Sequence, residues 1–165
     1  MKYSISKLSS PIGELNFICS KEYLLFLTFE KLKYSQFNQF KDKYLTYEYK
    51  GTYPVIYKVT NQLNEYFNKE RTEFSIPIKL FGTDFQRSVL MTIKNIPYGA
   101  TFSYSKIAKL INKPKSCRAV GNAAGKNPIP IIIPCHRVIK KDNSIGGFTG
   151  DLEIKKYLLN FERTI

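Results

Sequence analysis

The sequence predicts two domains, an α/β domain over residues 1–80 and a mainly α domain over residues 81–165. Apolar, β-prone runs fill the start of the chain, whereas capped helical patterns fill its second half. A length of 165 residues with 43% hydrophobic and 24% charged side chains is typical of one globular domain or two small ones. The longest apolar run, residues 129–134, is far shorter than the roughly 18 residues of a membrane span, so we expect no membrane association.

Three strands should open the α/β domain. Residues 1–8, 13–20 and 23–29 are β-prone runs separated by short turns, which predicts an antiparallel meander. Residues 34–49 are polar and aromatic without a clear period, and no element is assigned to them.

A helix and a connector should complete this domain. Apolar residues recur at helical spacing over residues 59–67, which predicts an amphipathic helix. Residues 71–80 fit an extended connector better than a central strand, because Pro77 has no N–H to donate to a neighbouring strand. We therefore expect the domain boundary near Leu80.

The mainly α domain begins with a capping box, in which Thr83 is the N-cap and Gln86 stands three residues later. Two further short helices across a tight break are typical of a helix-turn-helix motif, although many pairs of packed helices share this pattern. Each is predicted after a serine N-cap: Ser103 before residues 104–111, and Ser116 before residues 117–124.

The charge of the chain is unevenly distributed. Its net charge is +13, and residues 1–80 hold 12 basic and 8 acidic side chains whereas residues 81–165 hold 14 basic and 5 acidic ones. Such an excess indicates a polyanionic partner, namely nucleic acid, an anionic membrane or an acidic protein. A generally lysine-rich composition would explain the excess but not its concentration in the second domain.

The second helix of the predicted motif presents an unusual face. Arg118, Gly121, Asn122 and Gly125 share one side of it, and small residues there permit close approach to another surface. That surface is either the DNA backbone and minor groove or another element of the protein.

A cysteine next to the single histidine of the chain is the strongest catalytic candidate. The apolar run 129–134 reads as a buried strand that leads into Cys135 and His136. Neighbouring side chains of a strand point to opposite faces, so we expect a water to bridge the two groups. Glu162, flanked by leucines in a helix predicted from Asp151 to about Arg163, is the expected partner that orients His136. A buried structural cysteine is the alternative.

The three cysteines exclude two common kinds of site. Cys19, Cys117 and Cys135 are an odd number without a CxxC spacing, which argues against a disulfide framework and a zinc finger. We expect no metal site, a buried strand position for Cys19 and a structural role for Cys117.

Residues 134–138, PCHRV, resemble the active-site signature of the O6-alkylguanine-DNA alkyltransferases, which repair DNA by direct reversal. Residues similar to that family follow in the same order over more than half of the chain, from about Val59 onward. Residues 1–58 match only in general character. The matching positions include Thr83 with Gln86, Ser103 with Tyr104, Arg118–Gly121, Asn127, Gly146–Phe148 and Glu162.

The resemblance implies a ribonuclease H-like small sheet with helices in residues 1–80 and a winged helix-turn-helix in residues 81–165. It implies a monomer that repairs duplex DNA from the minor groove, in the cytoplasm at the nucleoid, or in the nucleus of a eukaryote. The flipped O6-alkylguanine would lose its alkyl group to a cysteine, and O4-alkylthymine would react by the same chemistry. Each protein molecule would act once, without a cofactor. A non-catalytic protein that binds alkyl lesions and a Cys-His hydrolase are the alternatives.

The resemblance also implies residue roles. Cys135 accepts the alkyl group, and His136, through water and backed by Glu162, forms its thiolate. Tyr104 contacts the flipped base and donates a proton to it. Arg118 fills the position that the base leaves in the DNA stack. The remaining implied positions are Ser103, Ala119, Gly121 and Asn122 at the DNA, Asn127 as a hinge, and Val138, Phe148 and Thr149 in the base pocket.

Overall fold

The computed structural model describes residues 1–29, 34–148 and 151–163 and divides into two compact units, Met1–Leu80 and Phe81–Ile165. The first unit is built on an antiparallel meander. Its strands are β1 (Lys2–Ser10), β2 (Gly13–Cys19) and β3 (Leu24–Phe29), in which β2 pairs with both neighbours. The meander predicted from the sequence is confirmed.

Two short elements follow in the stretch to which the sequence analysis assigned nothing. Helix α1 (Tyr34–Tyr44) leads to β4 (Tyr47–Glu48), which pairs in parallel with β1 and makes the sheet mixed, in the order β3-β2-β1-β4. Neither element was predicted, because the apolar residues of this stretch do not recur at a regular spacing. Strand β4 is moreover only two residues long and pairs through its backbone.

The helix of the first unit, α2 (Pro54–Phe67), begins five residues earlier than predicted. Proline at the first helical position has its φ angle already set for a helix and loses no hydrogen bond there, so Pro54 begins the element. The helix buries Val59, Leu63 and Tyr66 in the core. The connector that follows forms only an isolated bridge between Leu24 and Ile78, as its proline suggested.

The second unit begins with α3 (Asp84–Lys94), and the predicted capping box is confirmed at its start. The Gln86 amide donates to Thr83 Oγ1 at 3.2 Å, and the Thr83 amide donates to Gln86 Oε1 at 3.0 Å. The predicted helix-turn-helix pair is α4 (Tyr104–Leu110) and α5 (Cys117–Gly125), and the last helix of the described residues is α6 (Leu152–Arg163). None of the helices in the described ranges is long and apolar enough to cross a membrane.

The two predicted serine caps have different outcomes. Ser103 is a true N-cap, because its Oγ accepts from the Lys106 amide at 3.2 Å. Ser116 occupies the predicted N-cap position of α5, but its side chain forms no capping hydrogen bond. Its hydroxyl donates to the Lys113 carbonyl at 2.7 Å instead, because the turn between α4 and α5 offers that acceptor three residues before it.

The predicted strand over residues 129–134 was also wrong, although its burial is confirmed. Two prolines without N–H donors and Ile131 at a φ of 72° favour consecutive turns here. The turns lead into a 3₁₀ helix, Cys135–Arg137, and then into β6 (Val138–Ile139). Strand β6 pairs in parallel with β5 (Phe102–Ser103) and so fixes the 3₁₀ helix beside the start of α4.

Candidate active site

A cavity of about 360 Å³ lies between α4, α5 and the loop that precedes α6. Its volume lies within the range of small-molecule and cofactor sites. The 3₁₀ helix that begins at Cys135 supplies a further part of its wall. Two of the lining residues, Cys135 and Tyr104, carry groups able to react or to transfer a proton. The lining residues are Tyr104, Gly121, Ala124, Gly125, Cys135, Gly147 and Phe148.

Cys135 begins the 3₁₀ helix and is almost entirely buried, with 4% of its surface exposed. Asn127 Nδ2 donates to its Sγ at 3.1 Å and to the Ile133 carbonyl at 2.7 Å, while Asn127 Oδ1 accepts from the Ile129 amide at 3.0 Å. One buried amide therefore ties the end of α5 to the cysteine turn and also presents an N–H to the sulfur. The hinge role of Asn127 stays a prediction, and its contact with the sulfur was not foreseen from the sequence.

The electrostatic setting of Cys135 balances opposite effects. Burial raises the pKa of its thiol to about 11, and the Asn127 hydrogen bond and the charge of Lys155 act in the other direction. The free structure therefore holds a neutral thiol at pH 7, and thiolate formation requires a base and a counter-charge.

A buried network stands behind the cysteine. His136 Nε2 lies 2.8 Å from Glu162 Oε1, so the pairing expected from the sequence is present. Arg137 also binds this carboxylate through two bonds, Nε to Oε2 at 2.8 Å and Nη2 to Oε1 at 2.9 Å, and Nη1 donates to the Ile96 carbonyl. All three side chains are buried. Two charge-assisted bonds in parallel give the carboxylate a single orientation.

The ionisation of this network follows from its neighbours. Burial alone would raise the pKa of Glu162, but the hydrogen bonds and charges of His136 and Arg137 outweigh it and lower the pKa to about 2. Burial also lowers the pKa of His136, despite its bond to the carboxylate. The histidine is therefore neutral and the glutamate is an anion that only accepts hydrogen bonds, which assigns the imidazole proton to Nε2. His136 Nδ1 then carries a lone pair, and no described residue donates to it.

Tyr104 stands at the first turn of α4 and faces the same cavity. Its hydroxyl donates to the Gly147 carbonyl at 3.4 Å, and its ring lies close to Gly121 of α5. Burial and the charge of Cys135 raise the pKa of the phenol, so Tyr104 keeps its proton at neutral pH. The absence of a side chain at Gly146 leaves room for this hydroxyl, because a Cβ at that position would lie only 3.1 Å from it. The φ of Gly146 is 66°.

The remaining predicted residues differ in their position relative to the cavity. Gly121 and Phe148 line the cavity together with Cys135 and Tyr104. Val138 is buried in β6, but the cavity lining does not include it. Thr149 lies outside the described residues. The other positions expected at the DNA do not line the cavity. Arg118, Ala119 and Asn122 are exposed on α5, and Ser103, at the end of β5, is half-buried.

Two buried cations were missed by the sequence analysis. Arg137 was seen only as part of the PCHRV motif, and Lys155 was counted only as one of many lysines. The sequence offers only two signals of these buried cations. One is a basic residue directly after a catalytic His, and the other is a lysine between the apolar positions of α6. Neither pattern by itself distinguishes a buried cation from a solvated one.

Neither of the other two cysteines lines the cavity. Cys19 ends β2 and is fully buried, as expected, and burial raises its pKa to about 12. Cys117 is half-buried at the start of α5, where its thiol faces the Pro114 carbonyl at 3.8 Å. Within the described part of the chain, no three His, Cys, Asp or Glu side chains are grouped to hold a metal ion.

Comparison with known proteins gives consistent results over the whole chain. The family model for the ribonuclease-like domain of 6-O-methylguanine DNA methyltransferase matches residues 1–80, and the model for the DNA binding domain matches residues 84–164. The methylated-DNA–protein-cysteine methyltransferase of Haemophilus influenzae is 40% identical over 155 residues, which are 93% of this chain and 83% of the relative. The constitutive methylated-DNA–protein-cysteine methyltransferase of Bacillus subtilis is 41% identical and covers 93% and 92%.

Solved structures agree with these matches. The Mycobacterium tuberculosis OGT in complex with DNA superposes with a TM-score of 0.84 at 36% identity, covering 99% of this chain and 94% of that chain. The structure of the O6-methylguanine methyltransferase of the same organism gives the same TM-score over 98% of this chain and 93% of that chain. The chain therefore belongs to the 6-O-methylguanine DNA methyltransferase family.

Proposed function

We propose that this protein repairs duplex DNA by moving the alkyl group of O6-alkylguanine onto its own Cys135. The observation that carries the proposal is the cavity in which Cys135 faces Tyr104, backed by the buried His136–Glu162 pair. A nucleophile and a proton donor thus face a space suited to a small molecule, and the base follows the nucleophile in the same 3₁₀ helix. A non-catalytic lesion-binding protein would need neither the nucleophile nor the base.

The chemistry balances without a cofactor. The Cys135 thiol loses its proton toward His136 Nδ1, through a water, and the sulfur attacks the alkyl carbon. The new S–C bond forms as the bond from that carbon to O6 breaks, and the electron pair leaves with the guanine ring. Tyr104 donates a proton to N3 of the departing base, and the phenolate regains it from the imidazolium through solvent. The thioether is stable, so each molecule acts once. The same displacement would accept O4-alkylthymine.

The base must leave the helix before this chemistry, because the cavity is reached only by an extruded nucleotide. We place the DNA-binding and active-site functions in residues 81–165, with α5 entering the minor groove. Its small residues Ala119 and Gly121 permit close approach, Ser103 and Asn122 contact the backbone, and Arg118 fills the space that the base leaves. Thr149 and the Val138 backbone would contact the base edge. The protein would act as a monomer in the cytoplasm, at the nucleoid, or in the nucleus of a eukaryote.

Transfer itself is tested by the mass of the protein. After incubation with O6-methylguanine duplex DNA, the intact chain should become heavier by one CH2 group, and peptide mapping should place the added methyl group on Cys135. Unmethylated DNA of the same sequence is the control. An unchanged mass in folded, DNA-bound protein would contradict the proposed function.

Arg118→Ala should slow repair of duplex DNA by roughly 10- to 100-fold, because the unstacking cost of a few kcal/mol is then offset less well. Transfer from the free base O6-benzylguanine needs no flipping and should keep its rate. Arg118→Lys, which retains the charge but not the planar group, separates stacking from charge and should remain slow. Equal slowing with duplex and free base would instead place Arg118 in activation or folding.

The basic second unit should make duplex binding depend strongly on salt. We expect the logarithm of the affinity to fall with a slope of about −0.9 per phosphate neutralised. Lys113→Ala and Lys115→Ala, at exposed positions before α5, should each weaken binding and reduce that slope by about one. Lys58→Ala, exposed on α2, is the matched control and should change neither quantity. Equal effects from both units would show that the charge excess is only compositional.

A further inference from the structure

Tyrosines are concentrated in one short part of the first unit. Five of the twelve tyrosines of the chain fall within residues 44–57, which run from the end of α1 through β4 to the first turn of α2. Three of them expose much of their surface, 58% for Tyr47, 43% for Tyr49 and 64% for Tyr57. Single exposed apolar side chains are ordinary, whereas a cluster of them indicates a binding surface.

The backbone holds these rings in a defined arrangement. The chain stays paired with β1 beyond β4, because the Tyr49 amide donates to the Tyr3 carbonyl at 2.6 Å. Tyr47 and Tyr49 are two residues apart in this extended segment and therefore lie on the same side of it. The Tyr49 ring is stacked on Tyr53, with centroids 4.9 Å apart and 28° between the planes, and Tyr57 follows four residues later on α2. We call Tyr47, Tyr49, Tyr53 and Tyr57 the tyrosine patch.

A glycine permits this stacking. The Tyr49 ring lies over Gly51, and a Cβ at Gly51 would be only 2.5 Å from Cζ and from the hydroxyl oxygen of that ring. Any side chain at this position would push the ring away. The turn itself is anchored, since Ser4 Oγ donates to the Gly51 carbonyl at 2.7 Å. Gly51 therefore sets the position of the Tyr49 ring.

Two exposed lysines border the tyrosine patch. Lys2 is paired with Tyr47 in the sheet, and its ammonium lies 5.9 Å from the centre of that ring. Lys50 binds Glu48 at 3.1 Å, with its own side chain 84% exposed. An ion pair so open to water contributes little, so the Lys50 ammonium is free to exchange its carboxylate for another anion.

Aromatic rings beside lysines are typical of sites for single-stranded nucleic acid, in which bases stack on the rings and phosphates meet the ammonium groups. A protein partner fits less well, because lysine is depleted in protein–protein interfaces although tyrosine is enriched there. Duplex DNA also fits less well, because its bases are stacked on one another and offer no free face. The chemistry of the patch therefore suits unpaired bases.

We propose that the tyrosine patch, together with Lys2 and Lys50, binds single-stranded DNA. Bases stack on the exposed rings, and Lys50 leaves Glu48 for a phosphate. Binding here needs neither an alkylated base nor Cys135. The inference thus goes beyond the proposed function, and each can fail without the other.

The test locates the bound strand by cross-linking. The full-length protein is mixed with a lesion-free oligo(dT) strand that carries one 5-iodouracil, irradiated and digested, and the adducts are located by mass spectrometry. Adducts should form on Tyr47, Tyr49 and Tyr57. Tyr23 is also exposed, but it lies beside β3 at the opposite edge of the sheet and should carry none.

Two variants keep every tyrosine and change the patch. Gly51→Ala displaces the Tyr49 ring and should raise the strand concentration for half-maximal adduct about tenfold, the scale of one lost stacking contact. Lys50→Ala should raise it about fivefold at about 0.1 M salt, the effect of one phosphate contact. Lys21→Ala, exposed in the turn between β2 and β3, is the matched control and should leave it unchanged. Methyl transfer should be the same in all three variants.

Adducts confined to residues 81–165, or formed on Tyr23 as readily as on the patch, would overturn the proposal. So would self-association in velocity sedimentation that Tyr47→Leu abolishes, because the patch would then join two copies of the chain. None of these outcomes decides alkyl transfer, which the mass of the intact protein tests separately.

Discussion

Cys135→Ser should reduce methyl transfer by roughly 10⁴-fold or more, the scale expected when an enzyme loses its nucleophile. A serine hydroxyl is not ionised near neutral pH, and the Asn127 and Lys155 groups that favour a thiolate cannot make it so. Affinity for methylated duplex DNA should stay within a few fold, because the α5 residues that we propose to contact DNA are unchanged. The measurements are single-turnover transfer of a radiolabelled methyl group and duplex binding by the same protein.

The matched control is Cys117→Ser, which changes a half-buried thiol that stands at the start of α5 and does not line the cavity. Its transfer rate should equal that of the wild type. Label on Cys117 or Cys19 in the wild-type protein, or any remaining transfer by Cys135→Ser at more than background, would show that the nucleophile has been assigned wrongly.

Glu162→Gln should have the second largest effect, on both stability and reactivity. The change leaves Arg137 buried without its anion, and breaking a buried ion pair in this way costs about 3–5 kcal/mol. The imidazolium that forms when His136 takes a proton also loses its counter-charge, so the base becomes weaker. The pH profile of transfer should move upward. The rate is measured per folded molecule between about pH 6 and about pH 9, with urea unfolding followed in parallel.

The free energy of unfolding at acid pH tests the role of Glu162 independently of the transfer rate. The pKa of Glu162 is about 2 in the folded protein and 4.5 for an ordinary glutamate, so its contribution is complete above about pH 4.5. That contribution is lost as the pH falls toward 2, where the native carboxylate takes up a proton. Glu162→Gln should lack this step. Glu153→Gln, an exposed position on the same helix, should retain it and keep the wild-type transfer profile. An unshifted transfer profile in folded Glu162→Gln protein would leave Glu162 a purely structural carboxylate.

Local patterns predicted the parts of the fold that depend on local physics. The Thr83–Gln86 capping box, the Ser103 cap and the three-strand meander formed as expected, because caps and hairpins join residues close in sequence. The Ser116 cap did not form, since its hydroxyl had a competing acceptor that only the turn geometry supplies. The short parallel pairings of β4 and β6 were missed for a related reason: a two-residue strand has no period, and its partner lies far along the chain.

The sequence by itself determined the family, the nucleophile that we propose and the pairing of His136 with Glu162. These rest on residue types in a fixed order, which are visible without coordinates. Only the tertiary structure decided that Cys135 stands on a 3₁₀ helix, that Asn127 donates to its sulfur, and that Arg137 and Lys155 are buried cations. The free energy of a charge depends on its solvation and on the distances to other charges. Both are set by chain segments that meet only after folding, so the sequence does not reveal whether a lysine such as Lys155 is solvated or buried.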